Sequence, residues 1–260
     1  MNIFSSSLSA SAYVPSFRFK PTDRVEFGFV LLPDPSKLND LTNLAEETLS
    51  NLSEVPSLKE KEEDIIRDGY NLVLTRLPHV SIGQYAALGI ELDALKSIVD
   101  EVSDAIPVIT EPMKADLSVT NENIFFDVEN INASTNPVIV GLYKKFRDLY
   151  MTRIRSKQPI RQAYLQMVNN KNNPEELAFI QKHYQNWGTP EGDRIRPHFT
   201  LVYNYSGNKD DTQARLSMSK IPESLNVVRF THIGLVAIDF WGNPLPEGLI
   251  YVVPLAGFKE

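Results

Sequence analysis

Two short stretches of the chain hold the side chains best suited to moving protons. Pro78, His79, Val80, Ser81 and Ile82 form the first, and Pro197, His198, Phe199, Thr200 and Leu201 the second. Both read Pro, His, apolar, hydroxyl, apolar. Side chains alternate across a strand, so His79 and Ser81 would share one face while Val80 and Ile82 take the other, and the second copy repeats this with His198 and Thr200. An unperturbed imidazole titrates near pH ~6.5 and can take or give a proton around neutrality. The hydroxyl beside it can donate a hydrogen bond to an oxygen that gathers charge. Together the copies offer two proton-transfer groups and two donors, a set suited to general acid and base catalysis.

Other residues join these faces on the alternation rule. Tyr85 falls beyond Ser81 and Gly83 on the His79 face, where it would stack on a base, and Arg196 falls one pleat before His198, where it would pair with phosphate. The blander reading gives a partly buried tyrosine and a surface arginine. Tyr203 and Tyr205 fall on the opposite face from His198. Of the four histidines, His183 on a helix and His232 on a strand lack a hydroxyl two residues on and read as structural. The chain has no phosphate-binding P-loop, no Gly-rich dinucleotide turn and no His-Glu-x-x-His zinc helix.

The two stretches sit in corresponding places, each after a strand and helix and each before a further helix and strand pair. Val25 to Leu32 reads as a buried strand stopped by Pro33, and Asp34 then caps a helix carrying Leu38, Leu41, Ala45 and Leu49. Leu77 to Tyr85 alternates as a strand, and Leu92, Leu95, Ile98, Val99, Val102 and Ile106 form a helical stripe ended by Pro107. Val108 to Val119, interrupted by Pro112, pairs with Asn123 to Val128. In the second half a helix runs from about Pro137 to Arg153. Arg196 to Tyr205 alternates as a strand, a helix follows near Lys209 to Lys220, and Val227 to Phe240 with Leu249 to Leu255 forms a closing hairpin. Residues 1–20 read as a flexible tail, 21–260 as one domain, and about 155–193 as an insertion.

Composition narrows the function further. In 260 residues, 42% hydrophobic and 23% charged content is ordinary for a globular protein, and a net charge of −7 disfavours binding to long nucleic acid. Positive charge gathers at Lys144, Lys145, Arg147, Arg153, Arg155, Lys157 and Arg161 against Asp148, either a solvated helix face or a rim that draws in phosphate. The absence of cysteine excludes disulfides, thiolate catalysis and Cys-ligated metals. No signal-peptide pattern opens the chain and no apolar run approaches the ~18–20 residues that span a bilayer, so a cytoplasmic monomer without membrane contact is expected.

With its duplicated His, apolar, Ser or Thr, apolar signature, the sequence resembles the two-histidine (2H) phosphoesterase superfamily, over the span from Val25 to Leu249. The resemblance implies an α+β fold of two pseudo-symmetric lobes, each an antiparallel sheet with helices on its outer face, enclosing a central cleft. It implies catalytic roles for His79 and His198, phosphate binding by Ser81 and Thr200, and no metal or other cofactor. The implied substrate is a 2′,3′-cyclic nucleotide, an RNA end or a short oligonucleotide, not long duplex nucleic acid. Two alternatives stand beside it: cleavage of cyclic or 2′-5′-linked oligonucleotide signals, and a nucleotide-binding module without turnover. The sequence leaves open which histidine is acid and which is base.

Overall fold

The computed structural model describes residues 13–53, 77–119, 124–129, 137–157, 197–202, 213, 216, 220–238, 242 and 244–259. These residues form an α+β fold around one antiparallel sheet of eight strands. The strands are β1 (Arg24–Pro33), β2 (Val80–Leu88), β3 (Ile109–Pro112), β4 (Ser118–Val119), β5 (Ile124–Asp127), β6 (His198–Val202), β7 (Val227–Ile238) and β8 (Pro244–Pro254). Their order is β3-β7-β1-β2-β6-β5-β4, with β8 also paired to β7. The two expected antiparallel halves thus join at β2 and β6. Both motif-bearing strands lie at this seam, side by side.

Among the described residues, three helices pack on one face of the sheet. Asp34 accepts a hydrogen bond from the Ser36 amide at 3.1 Å and caps a short turn, Pro35–Lys37, that leads into helix α1 (Leu38–Ser53). Leu41, Leu44 and Ala45 of α1 are buried in the same core as Phe199 and Leu201 of β6. Helix α2 (Leu92–Ala105) buries Leu95, Ile98, Val99 and Val102 at helical spacing. Helix α3 (Pro137–Arg153) buries Ile139, Leu142, Tyr143, Phe146 and Tyr150. Each such side chain contributes roughly 1.5–3 kcal/mol of burial free energy. Phe29 of β1 stacks on Phe146 of α3 with ring centroids 4.3 Å apart, fixing α3 beneath β1 and β2.

The other face carries a smaller apolar cluster of Val30, Leu32, Val236, Ile238 and Leu249, against which Tyr13, Leu77 and Val252 pack. Residues 13–20, which fall in the expected flexible tail, are held to the fold, Tyr13 at this cluster and Phe17 and Phe19 against the main core. The Tyr13 hydroxyl donates to the Pro33 carbonyl at 2.6 Å, and the Ser16 and Phe17 amides donate to the Leu249 carbonyl at 3.0 and 3.1 Å. Aromatic side chains at Tyr13, Phe17 and Phe19 give this segment apolar surface to bury, which a tail of Ser and Ala lacks. Residues 158–193 of the expected insertion, and most of the expected helix near Lys209 to Lys220, lie outside the described residues.

Candidate active site

Val80 on β2 is the register partner of Phe199 on β6, and both are buried on the helix side. One residue either way, His79 therefore lies opposite Thr200, and Ser81 opposite His198. All four point away from the described helices. The imidazoles occupy a diagonal of this square, and diagonal same-face neighbours on adjacent strands stand about 7–8 Å apart. The two rings are close enough that a charge on His198 would oppose protonation of His79.

Both motif strands depart from regular pleating at the same place. Along β1 and β2, Val30 pairs with Ser81 but Phe29 pairs with Gly83, which leaves Ile82 as an extra residue. Along β5 and β6, Phe125 pairs with Thr200 but Ile124 pairs with Val202, which leaves Leu201 extra. Ile82 and Leu201 are equivalent positions of the two motifs. A bulge adds twist and ends the regular alternation, so each half turns its strand just past its hydroxyl. Gly83 follows from this local turn: a Cβ there would stand 2.6 Å from Cε2 of Tyr85, whose ring folds back over it.

His79 is only 7% exposed. Its Nδ1 lies 3.0 Å from the Leu77 carbonyl, which can only accept, so Nδ1 carries the hydrogen and Nε2 is the bare nitrogen. The Ser81 hydroxyl, 3.0 Å from Nε2, donates to it. Burial drives the His79 pKa down to about 4, outweighing the Leu77 carbonyl, which raises it. The ring is neutral at pH 7, with its acceptor nitrogen on the open face beside the hydroxyl. Beneath it, the Tyr143 hydroxyl donates to the Ser81 carbonyl at 2.9 Å, tying α3 to the motif backbone.

Tyr85 does not join the site. The bulge at Ile82 reverses the alternation, so Tyr85 turns into the core, 3% exposed, with its ring stacked on Tyr150 at 4.2 Å. Gln84 takes the open-face position in its place, its amide donating to the Gly242 carbonyl at 3.1 Å. The signal for this was present in the sequence, since a lone Gly inside a strand marks a bulge. Arg196 lies outside the described residues. The basic cluster on α3 belongs to the helix layer, on the opposite side of the sheet from the histidines. There Lys144 and Arg147 pair with Asp148 at 3.4 and 3.9 Å, and Arg153 pairs with Glu101. His232 is buried, hydrogen-bonded to Thr231 at 2.8 Å and edge-on to Tyr13 and Phe258, as a structural histidine would be.

Two residues of β5 on the open face were not singled out from sequence. The Phe125 ring lies 4.1 Å from the His198 ring, and Asp127 is the register partner of His198. The alternation of Asn123 to Val128 separates Phe125 and Asp127 from Ile124, Phe126 and Val128. What it lacks is the identity of the neighbouring strand. Among the described residues, no group of three or more His, Asp or Glu side chains is placed to hold a metal ion, and no helix is long and apolar enough to cross a membrane.

No protein-family model matches the chain, and no curated protein matches it. Solved structures do show likeness in fold. Escherichia coli LigT without ligand aligns with a TM-score of 0.46 at 11% identity, covering 90% of this chain and 98% of that one. A structure described as a phosphoesterase gives 0.46 at 10% identity, covering 90% and 99%. Kluyveromyces marxianus Usb1 gives 0.37 at 11% identity, covering 89% and 97%. At these levels the likeness lies in the course of the chain alone, and the chemistry open to the site follows from its own four side chains.

Proposed function

We propose that the chain is a phosphodiesterase in which His79 and His198 act as general base and general acid on one phosphorus atom, with Ser81 and Thr200 holding the non-bridging oxygens. The observation that carries this reading is the Val80 to Phe199 register, which brings two histidine and hydroxyl pairs from distant parts of the sequence onto one face. Hydrolysis of a phosphodiester needs a proton removed from water on one side and a proton delivered to the leaving alkoxide on the other. One imidazole must be neutral and its counterpart charged. The hydroxyls donate to oxygens whose negative charge grows toward the transition state, and Ser81 can turn its hydrogen from Nε2 of His79 to such an oxygen as water takes its place. The Phe125 ring beside His198 offers a flat apolar surface on which a base can stack.

The substrate class that fits is a 2′,3′-cyclic nucleotide, an RNA end or a short oligonucleotide, including 2′-5′-linked signals. The net charge of −7 disfavours long nucleic acid. A panel of 2′,3′-cyclic, 3′-5′ and 2′-5′ phosphodiesters, assayed in EDTA with products identified by phosphate position, tests this directly. Turnover of at least one class is expected. Failure on all of them contradicts the proposal.

The burial of His79, 7% exposed, favours binding without turnover, because it pushes the ring pKa down to about 4 and makes it a weak base. Under that reading, nucleotides raise the melting temperature of the protein while no product accumulates from any diester.

A further inference from the structure

The quartet is symmetric in residue type, but its flanks are not. In the second half, β5 places Phe125 beside Thr200, Phe126 beside Phe199 and Asp127 beside His198. In the first half, β1 places Val30 beside Ser81 and Leu31 beside Val80, and one residue further Leu32 falls beside His79. The site's pseudo-twofold relation thus matches Asp127 with Leu32. Leu32 is fully buried in the apolar cluster on that face, against which Leu77, from the segment that leads into His79, also packs. Asp127 shares its face with Phe125, whose ring touches that of His198, while Phe126 points the other way and stacks on Phe199.

We propose that Asp127 is the positioning residue that divides labour between the two histidines: its carboxylate, across β5 from His198, keeps that ring charged as the proton donor, and leaves His79, flanked by Leu32, as the proton acceptor. Directly opposed side chains in an antiparallel pair stand about 4.5–5.5 Å apart at Cβ, close enough for a carboxylate to favour an imidazolium strongly. Asp127 is itself fixed, because its Oδ2 takes a hydrogen bond from Ser118 on β4 and lies 3.7 Å from the Lys114 ammonium. Lys114 is 48% exposed and Asp127 1%, so water screens the cation more than it screens the carboxylate. Among the described residues, His79 on β2 is a further titratable group coupled to His198. The charged residues of α1, Asp40, Glu46 and Glu47, lie on the helix side of the sheet, behind Phe199 and Leu201. On the opposite flank the described neighbours of the His79 ring are the Leu77 carbonyl and the Ser81 hydroxyl.

The inference rests on the phosphodiesterase reading for its chemistry. Water loses a proton to Nε2 of His79 as its oxygen bonds to phosphorus. The bond from phosphorus to the leaving oxygen breaks, and that oxygen takes the proton of the His198 imidazolium. His79 ends charged and His198 neutral, and exchange with solvent restores both.

The test is an NMR titration of the histidine rings in the full-length chain, with the signals of His79 and His198 picked out from those of the four histidines through His79→Gln and His198→Gln. It is read without substrate, so its outcome is independent of whether any diester is turned over. In the wild type His198 is expected to titrate above His79. Asp127→Asn, which can keep the Ser118 contact, lowers the His198 midpoint by about one pH unit or more. Where turnover is measured, the alkaline limb of the kcat/KM profile moves down by the same amount, and Asp127→Glu restores part of the shift. A wild-type protein in which His79 titrates above His198, or an Asp127→Asn midpoint for His198 equal to that of the wild type, overturns the assignment. If the Asn variant does not fold, Asp127→Ser is read in its place, with the same fall in the His198 midpoint expected and an unchanged midpoint overturning the assignment.

Discussion

The burial of His79 has a consequence for stability that can be measured without any substrate. In the unfolded chain this ring titrates at the ordinary 6.5, whereas in the fold its pKa is held near about 4. Between these values the unfolded state binds a proton that the folded state refuses, so stability is intact above pH 6.5 and is lost as the pH falls toward 4. The full gap corresponds to about 3 kcal/mol, and linkage gives a loss of about 2 kcal/mol between about pH 7.5 and about pH 5. His79→Gln removes the titration while keeping a polar side chain. Urea unfolding of both proteins at the two pH values isolates the contribution, because every other group appears on both sides of the comparison. The wild type is expected to lose about 2 kcal/mol more than the variant. Equal losses would mean that His79 is protonated as readily in the fold as outside it, and the neutral base on the open face would have no basis.

Further outcomes follow from the packing around the motifs. Gly83→Ala sets a Cβ 2.6 Å from the Tyr85 ring, which is held by its stack on Tyr150 at 4.2 Å, so a loss of ~1–3 kcal/mol in denaturant unfolding is expected. Tyr143→Phe removes the donor to the Ser81 carbonyl and should cost ~1–2 kcal/mol, read as a lower urea midpoint at unchanged slope. Ser81→Ala should fold normally and lower kcat on a cleaved diester by on the order of a hundredfold or more. Wild-type turnover in that variant would remove the hydroxyl from the mechanism.

Much of the fold is legible in the chain because local rules and burial agree. Helix α3 spans Pro137–Arg153, as its apolar stripe and leading proline predict, and Asp34 with Pro35 marks the start of the turn before α1. Boundaries blur where one rule stands alone. β8 begins at Pro244 and carries Pro246, earlier than the expected start at Leu249, because among the described strands its neighbour is β7 alone, and a missing amide costs little on such an edge. Pairing is harder to read than the elements themselves. Ile109–Pro112 pairs with β7, while the expected pairing with the next segment holds at Ser118–Val119 with β5 and at the Met113 to Val128 bridge, because Pro112 splits the expected strand in two.

The site shows the same division. The faces of His79, Ser81, His198 and Thr200 follow from alternation over three residues, too short a span for a bulge to intervene. Tyr85 lies beyond Ile82, where the extra residue reverses the count. Asp127 and Phe125 are invisible as site residues until β5 is known to neighbour β6, a contact between segments about seventy residues apart in sequence.

The central claim is that two imidazoles from separate halves act on one phosphorus atom, and a double-mutant cycle on turnover in EDTA tests it most directly. His79→Ala, His198→Ala and the double variant, each shown to be folded, are compared with wild type on a diester that the protein cleaves. Groups that act as one unit are non-additive, so each single variant should lose on the order of a hundredfold to ten-thousandfold and the double variant little more. Losses that multiply, or full activity in either single variant, would contradict it.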